Sequence, residues 1–228
     1  MAATKSPATE IRPDVWVDGR RALWLSRPRI LVLADVHWGY ATSHRVQGNL
    51  LPVWGDDEIA VRLAALVADY RPAELVWLGD SLHTLAGRAA AERFVDGAGV
   101  PVVIIAGNHD RRWRRAAEQS VTRASFFLHH GHRAAKIPEG HTEVIGHHHP
   151  AVTWSDGAGG NLKMPALVEG PRRLILPAFS PWSAGTPWNG RLRAGERLWV
   201  VGARRVFPVP KSAPSPPAPR RRGRRKRA

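Results

Sequence analysis

Three short apolar runs, each ending abruptly in a polar residue, constrain this chain more than any other feature. They are ILVLA at residues 30–34, LVWL at 75–78 and VVIIA at 102–106. A run that is apolar at every position, rather than at every second one, reads as a strand buried on both faces. Between the first two, residues 57–70 set Ile59, Leu63, Leu66, Val67 and Tyr70 on one stripe, the pattern of a helix, with Asp56 as its expected N-cap. Residues 87–95 read as a short helix, and the basic stretch 111–119 as a further helical segment. Shorter strands are expected at 22–25, 126–128 and 144–145. From 151 onward only strands are expected, at 151–154, 166–168, 173–176 and 198–201. Alternating strand and helix followed by strands alone predicts an α/β sandwich of mixed sheets flanked by helices. With 43% hydrophobic residues, positions 1–210 suffice for a single domain around one good core.

Composition removes several classes of chemistry. The chain has no cysteine, so disulfides, zinc–thiolate sites and cysteine nucleophiles are excluded, and any metal must be held by nitrogen and oxygen. No apolar run approaches the roughly 20 residues that cross a bilayer. The opening MAATKSPATEIRPD lacks the apolar core of a secretory signal, so the expected location is the cytoplasm, with no membrane partner. The formal charge is +15, and it is uneven: residues 211–228 carry eight Lys or Arg and no acid. That Pro/Ala/Ser spacer ending in an Arg block has nothing to bury and is expected to be disordered. It reads either as a polyanion-binding tail, nucleic acid being the obvious polyanion, or as a solubilising segment.

The polar residues that end the apolar runs are of a kind. Asp35-Val36-His37, Gly79-Asp80 and Gly107-Asn108-His109-Asp110 each follow a buried strand, where sites in α/β sheets gather. Further along come His129-His130-Gly131-His132 and Gly146-His147-His148-His149. Singly, an Asp after a strand is most often a turn residue and a lone His an ordinary satisfied histidine. Jointly and in order, they deliver metal-type ligands to one sheet edge. Gly79, Gly107 and Gly146 are expected to let the chain turn sharply where a ligand leaves its strand. In the triple histidine, an extended backbone would put His147 and His149 on one side and turn His148 away.

This series resembles the signature of the calcineurin-like metallophosphoesterases, D-x-H, G-D, G-N-H-[DE], H and G-H-x-H, over about residues 30–150. The resemblance implies a metallophosphoesterase-type sandwich with a dinuclear metal site at the strand ends. It assigns one ion to Asp35, His37, Asp80 and His149, and the other to Asp80, Asn108, His130 and His147, with Asp80 as the bridge. It selects His130 over its neighbours because the ligand stands directly before a glycine. Such donors suit Mn²⁺ first, and also Fe or Zn²⁺. The implied reaction is in-line attack on phosphorus by water activated between the ions. His109 would protonate the leaving oxygen or stabilise the transition state, and Asp110 would orient His109.

Three further stretches, GDSLH at 79–83, GHHHPAV at 146–152 and LPAFS at 176–180, are similar to the bacterial PdeM group of ligase-associated DNA damage response endonucleases. This implies a hydrolase acting on DNA phosphodiesters, a setting beside DNA ligase and helicase, and the option of a homodimer. His83, Arg45 and Arg111 are candidate substrate contacts, with Arg88, Arg112, Arg114 and Arg115 as further cations for a basic groove. Trp113 reads either as a base-stacking residue or as core. A small-molecule phosphodiesterase or phosphatase on the same site is the nearest alternative. A DNA- or partner-binding module with a vestigial metal site is the alternative from another class, and retention of every expected ligand speaks against it.

Overall fold

The apolar runs owe their composition to a layer on either side. A computed structural model describes residues 7–210 apart from Val53 and Asp156. Strands β1 (Ala8–Arg12), β2 (Val15–Asp18), β3 (Ala22–Leu25) and β4 (Ile30–Leu33) run antiparallel in sequence order. Helices α1 (Tyr40–Val46) and α2 (Gly55–Tyr70) lead to β5 (Glu74–Leu78), and α3 (Arg88–Gly97) leads to β6 (Val102–Ile105). Strands β5 and β6 extend the first sheet in parallel beyond β4. The second sheet holds β7 (Ser120–Arg123), β8 (Phe126–His129), β9 (Thr142–Ile145), β10 (Pro150–Ser155), β11 (Asn161–Gly170), β12 (Arg173–Ile175), β13 (Thr186–Pro187), β14 (Arg197–Gly202) and β15 (Arg205–Pro208). Its order is β13-β10-β11-β12-β9-β8-β7, with β14 also on β11 and β15 on β14. Strand β9 is parallel to both β8 and β12, so this sheet is mixed as well.

Period two decides which layer each side chain joins. Val32, Ala34, Val76, Leu78 and Ile105 point between the sheets, onto Leu128, Val144, Leu167, Leu174 and Leu176. Leu31, Leu33, Leu75, Trp77 and Ile104 point the other way, onto Ile59, Leu63 and Leu66 of α2 and Ala91 of α3. Each large aliphatic side chain buried here contributes on the order of 1.5–3 kcal/mol. A third cluster, including Ile145, Val152, Val168 and Leu198, lies with Trp188 in the second sheet. The expected sandwich of mixed sheets is therefore present, with α2 and α3 packed on the first sheet.

Two local expectations change. Helix α2 starts at Gly55 with Trp54 before it and has no side-chain cap. Asp56 lies inside its first turn and accepts the Gly39 N–H at 2.9 Å, tying the helix to the loop after β4. Residues 111–119 form turns and a bridge rather than a helix. Four arginines in five positions place like charges at i,i+3 and i,i+4, which opposes a helix, while Trp113 is drawn into the core beside Trp77. The basic stretch 211–228, expected to be disordered, lies outside the described residues.

Candidate metal centre

Parallel pairing of β4 and β5 continues past the strand ends and brings the polar residues together. The N–H groups of Asp35, His37 and Trp38 donate to the carbonyls of Gly79, Asp80 and Ser81 at 3.2, 3.0 and 2.9 Å. On its other side the chain at 34–35 accepts from Phe179 and Ser180 at 2.8 and 3.1 Å, a continuation of the first sheet by the segment after β12. Asp35, His37, Asp80, His147 and His149 all have positive φ, between 45° and 64°, which is half of the non-glycine residues described that do. A left-handed backbone costs such residues of order 1–3 kcal/mol and recurs where function fixes a side chain. Asp and His tolerate it better than most.

The three motif glycines make room for ligands. A Cβ on Gly79 would come 2.6 Å from the His130 ring, and one on Gly146 would come 2.6 Å from Asp35 Oδ2. A Cβ on Gly107 would overlap Asp80. The expectation of sharp turns holds by φ only at Gly79, at +77°. At the other two, close approach is the reason for glycine. The triple histidine likewise departs from an extended strand: His147 and His149 are left-handed, and they face different ligand groups. His148 packs on Trp188, with ring centroids 5.6 Å apart.

Two groups of donors result, Asp35 with His37 and His149, and Asp80 with His130 and His147, each with its atoms within 4.8 Å of one another. Asp35 Oδ1, His37 Nδ1 and His149 Nε2 are buried without a hydrogen-bond partner, though His149 Nε2 lies 3.2 Å from Asp35 Oδ1. Around His130 Nε2 stand Asn108 Oδ1 at 3.2 Å, His147 Nδ1 at 3.2 Å and Asp80 Oδ2 at 3.4 Å. Converging lone pairs left unsatisfied in a buried place are what a cation would relieve, and an all-nitrogen-and-oxygen set fits a divalent ion.

Outer partners fix which ring nitrogen faces inward. His130 Nδ1 donates to the Leu78 carbonyl at 2.7 Å, and His149 Nδ1 is hydrogen-bonded with Ser183 Oγ at 2.9 Å, a hydroxyl that accepts from Nδ1 whenever Nε2 serves as the ligand atom. Burial lowers His37 to about 4, so it is neutral near pH 7 and ready to ligate. Burial also lowers His147, helped by the charge of His130. For His149 and His130 burial acts downward, yet Asp35 and Asp80 respectively outweigh it and raise both. Burial would raise Asp80, but its hydrogen bond to His130 and the charge there hold it below the usual carboxylate range. Metal entry would displace the protons these acid–imidazole pairs share.

His109 is exposed at the rim. Its Nδ1 donates to the His83 carbonyl at 3.2 Å, and its Nε2 stands 4.0 Å from Asp80 Oδ2. Asp110, expected to orient that ring, instead accepts the backbone N–H groups of Gly107, Ser81 and Leu82 at 3.0, 3.2 and 2.9 Å. A buried carboxylate needs partners, and the amides of the two loops supply them. Asp110 therefore binds the Asp80 loop to the Asn108 loop, and His83 is what holds His109.

Of the other candidates, His83 lines an open cleft of about 380 Å³ together with His109, Tyr40 and Trp182. Arg111 lines a second groove with His132 and Arg133. The His132 ring, 5.1 Å from His130 and 6.2 Å from His147, sets that groove beside the second donor group, whereas the cleft borders His37 and His149 of the first. Arg45 donates to the Leu51 carbonyl at 2.8 Å. Arg88 and Arg115 pair with Glu92 and Asp96, and Trp113 is core. His129 bonds Glu143 at 2.9 Å, away from both donor groups. Tyr40, Trp182 and Ser183 were not singled out from the sequence. Nothing in their spacing marks them, since Ser183 meets His149 across 34 positions.

Comparison with known proteins agrees with this geometry. No curated protein matches the chain. Among solved structures, the Pseudomonas putida nuclease MPE is similar at 25% identity and a TM-score of 0.70, over 90% of this chain and 100% of that one. A family model described as calcineurin-like phosphoesterase matches residues 28–191, around every donor named above, and the chain belongs to that family.

Proposed function

We propose that this protein is a two-metal phosphodiesterase that cuts nucleic acid, with DNA as substrate and endonucleolytic cleavage in DNA repair as its role in the cytoplasm. The observation that carries the reaction is the pair of donor groups at adjoining strand ends, with His109 beside Asp80 on the open side. Asp35, His37 and His149 would hold one ion, and Asn108, His130 and His147 the other, with Asp80 between them. Bound there, two divalent ions, Mn²⁺ by preference, supply the charge that acidifies water and neutralises phosphate in the transition state. His109, steadied through Nδ1 by the His83 carbonyl, presents Nε2 to the cleft and gives its proton to the leaving oxygen. Asp110 keeps the two ligand-bearing loops in register by its amide contacts.

Nucleic acid as the substrate is supported by the name of the structural neighbour and by the net charge of +15. The repair setting rests on the GDSLH, GHHHPAV and LPAFS stretches. The test is a matrix of Mn²⁺, Mg²⁺ and Zn²⁺ against bis-p-nitrophenyl phosphate, single- and double-stranded DNA and cyclic nucleotides, over a range of salt. Metal-dependent cleavage of DNA that weakens with salt is expected. Cleavage of small diesters alone would leave the chemistry standing and remove DNA, and no hydrolysis of any ester would remove the enzyme.

A further inference from the structure

The two flanks of the metal centre differ in chemistry. On one side the groove of Arg111, Arg133 and His132 offers cations to a phosphate backbone. On the other, the cleft of about 380 Å³ has no Lys, Arg, Asp or Glu among its described lining residues. Its walls are rings and small polar groups. From the surface inward, Trp54 lies 5.1 Å from Trp182, Trp182 lies 6.2 Å from Tyr40, Tyr40 lies 4.5 Å from His83, and His83 lies 5.5 Å from His109. The Tyr40 and Trp182 planes are within 7° of parallel. These rings thus form an unbroken path from half-exposed Trp54 to the residue proposed as the proton donor.

The path is held in place before any ligand arrives. The Trp182 indole lies so close to the start of α2 that a Cβ on Gly55 would come 2.9 Å from its Cε2. Tyr40 opens α1, directly after the loop that Asp56 ties down through Gly39. Beyond His37, His149 and His109 at its inner end, the cleft presents the fixed, partly open aromatic faces of Tyr40 and Trp182, with no Lys, Arg, Asp or Glu side chain among its described lining residues. Such faces favour a flat ring that stacks on them.

We propose that Tyr40 and Trp182 form a nucleobase-stacking subsite, which takes the base next to the scissile phosphate while Arg111 and Arg133 follow the backbone on the other flank. This rests on the nucleic-acid reading above and adds how the strand is oriented across the centre. Every base has a π-face, so the subsite accepts any base but requires one.

The test uses the full chain with Mn²⁺ and single-stranded oligodeoxynucleotides in which one abasic residue is moved stepwise past a mapped cleavage position. In the wild-type chain, an abasic residue beside the cut is expected to lower kcat/KM by about 5- to 100-fold, the range of base–aromatic stacking. Tyr40→Ala and Trp182→Ala should collapse the ratio between base-bearing and abasic substrates toward one, and Trp182→Phe should restore much of it. The abasic series needs no variant, so it decides the matter even if a variant fails to fold. Equal cleavage of base-bearing and abasic strands by the wild-type chain overturns the subsite and leaves the nuclease reading intact. Failure to cut any oligonucleotide overturns both.

Discussion

Replacing Gly146 with Ala adds one carbon at the point where the second sheet touches the first. That Cβ would stand 2.5 Å from Ala34 Cβ and 2.6 Å from Asp35 Oδ2. Carbon atoms in ordinary contact sit roughly 3.5–4.0 Å apart, so the β4 end and the Gly146 turn must separate by about 1 Å. Neither side is a flexible side-chain tip, because Ala34 is fully buried and Asp35 also accepts the His147 N–H at 2.9 Å. Overpacking of this size costs about 1–3 kcal/mol. Against a typical total of roughly 5–15 kcal/mol the protein stays folded, with Tm lowered by about 2–12 °C for a domain of this length. Activity should suffer far more. Asp35 and His147 belong to the two donor groups, and a 1 Å misplacement is worth on the order of 100-fold. The assay is Mn²⁺-dependent hydrolysis of bis-p-nitrophenyl phosphate beside a thermal melt and the metal content of the purified variant. A folded Gly146→Ala protein within threefold of wild-type turnover would refute the idea that this glycine makes room for the ligand.

Three other outcomes follow from the same geometry. Ser183→Ala removes the hydroxyl partner of His149 Nδ1; metal affinity at that site should fall about 10- to 100-fold by titration calorimetry, and Ser183→Thr should recover part of it. His109→Ala should lose at least about 100-fold in turnover while binding metal normally, and near-normal activity would end its role as proton donor. Glu169 is buried, which acts to raise its pKa, but hydrogen bonds from Arg197 and Trp199 and the charge of Arg12 hold it low. A depressed carboxyl stabilises the fold above its unfolded pKa, and that contribution is lost as pH falls through the folded value. Glu169→Gln should therefore cost roughly 1.5–3 kcal/mol near pH 7, toward the lower end because Arg197 is half-exposed, and the gap to wild type should close below about pH 4 in denaturant titrations.

How much of this was legible before the structure varies with the physics behind each element. The strands at 22–25, 30–34, 75–78 and 102–106 stood out because burial on both faces leaves an apolar residue at each position, and α2 because its stripe repeats at helical period. β1, β2, β7, β13 and β15 were missed: they pair at or near the margins, and half-buried mixtures such as ATEIR and SVTR carry no clear alternation. Helix α1 has one fully buried residue, Ala41, and so no stripe to read. In the site, the donors were visible because metal binding restricts residue type and each follows a strand. Their supports were not. Ser183, the Leu78 carbonyl and the His83 carbonyl act through position alone, and a carbonyl oxygen belongs to every residue. Asp110 shows the limit from the other side: the motif singles out the residue, whereas only the fold reveals that it grips three amides.

The central claim is that the donors at the strand ends hold two ions together. Metal content of the full chain, measured by mass spectrometry after Mn²⁺ loading and desalting, addresses it most directly. Two ions per chain are predicted for the wild type, and a loss of both for Asp80→Ala, since Asp80 is proposed to bind each. A wild-type chain that turns over phosphodiesters with one ion or none, or an Asp80→Ala chain that retains two, would contradict the account.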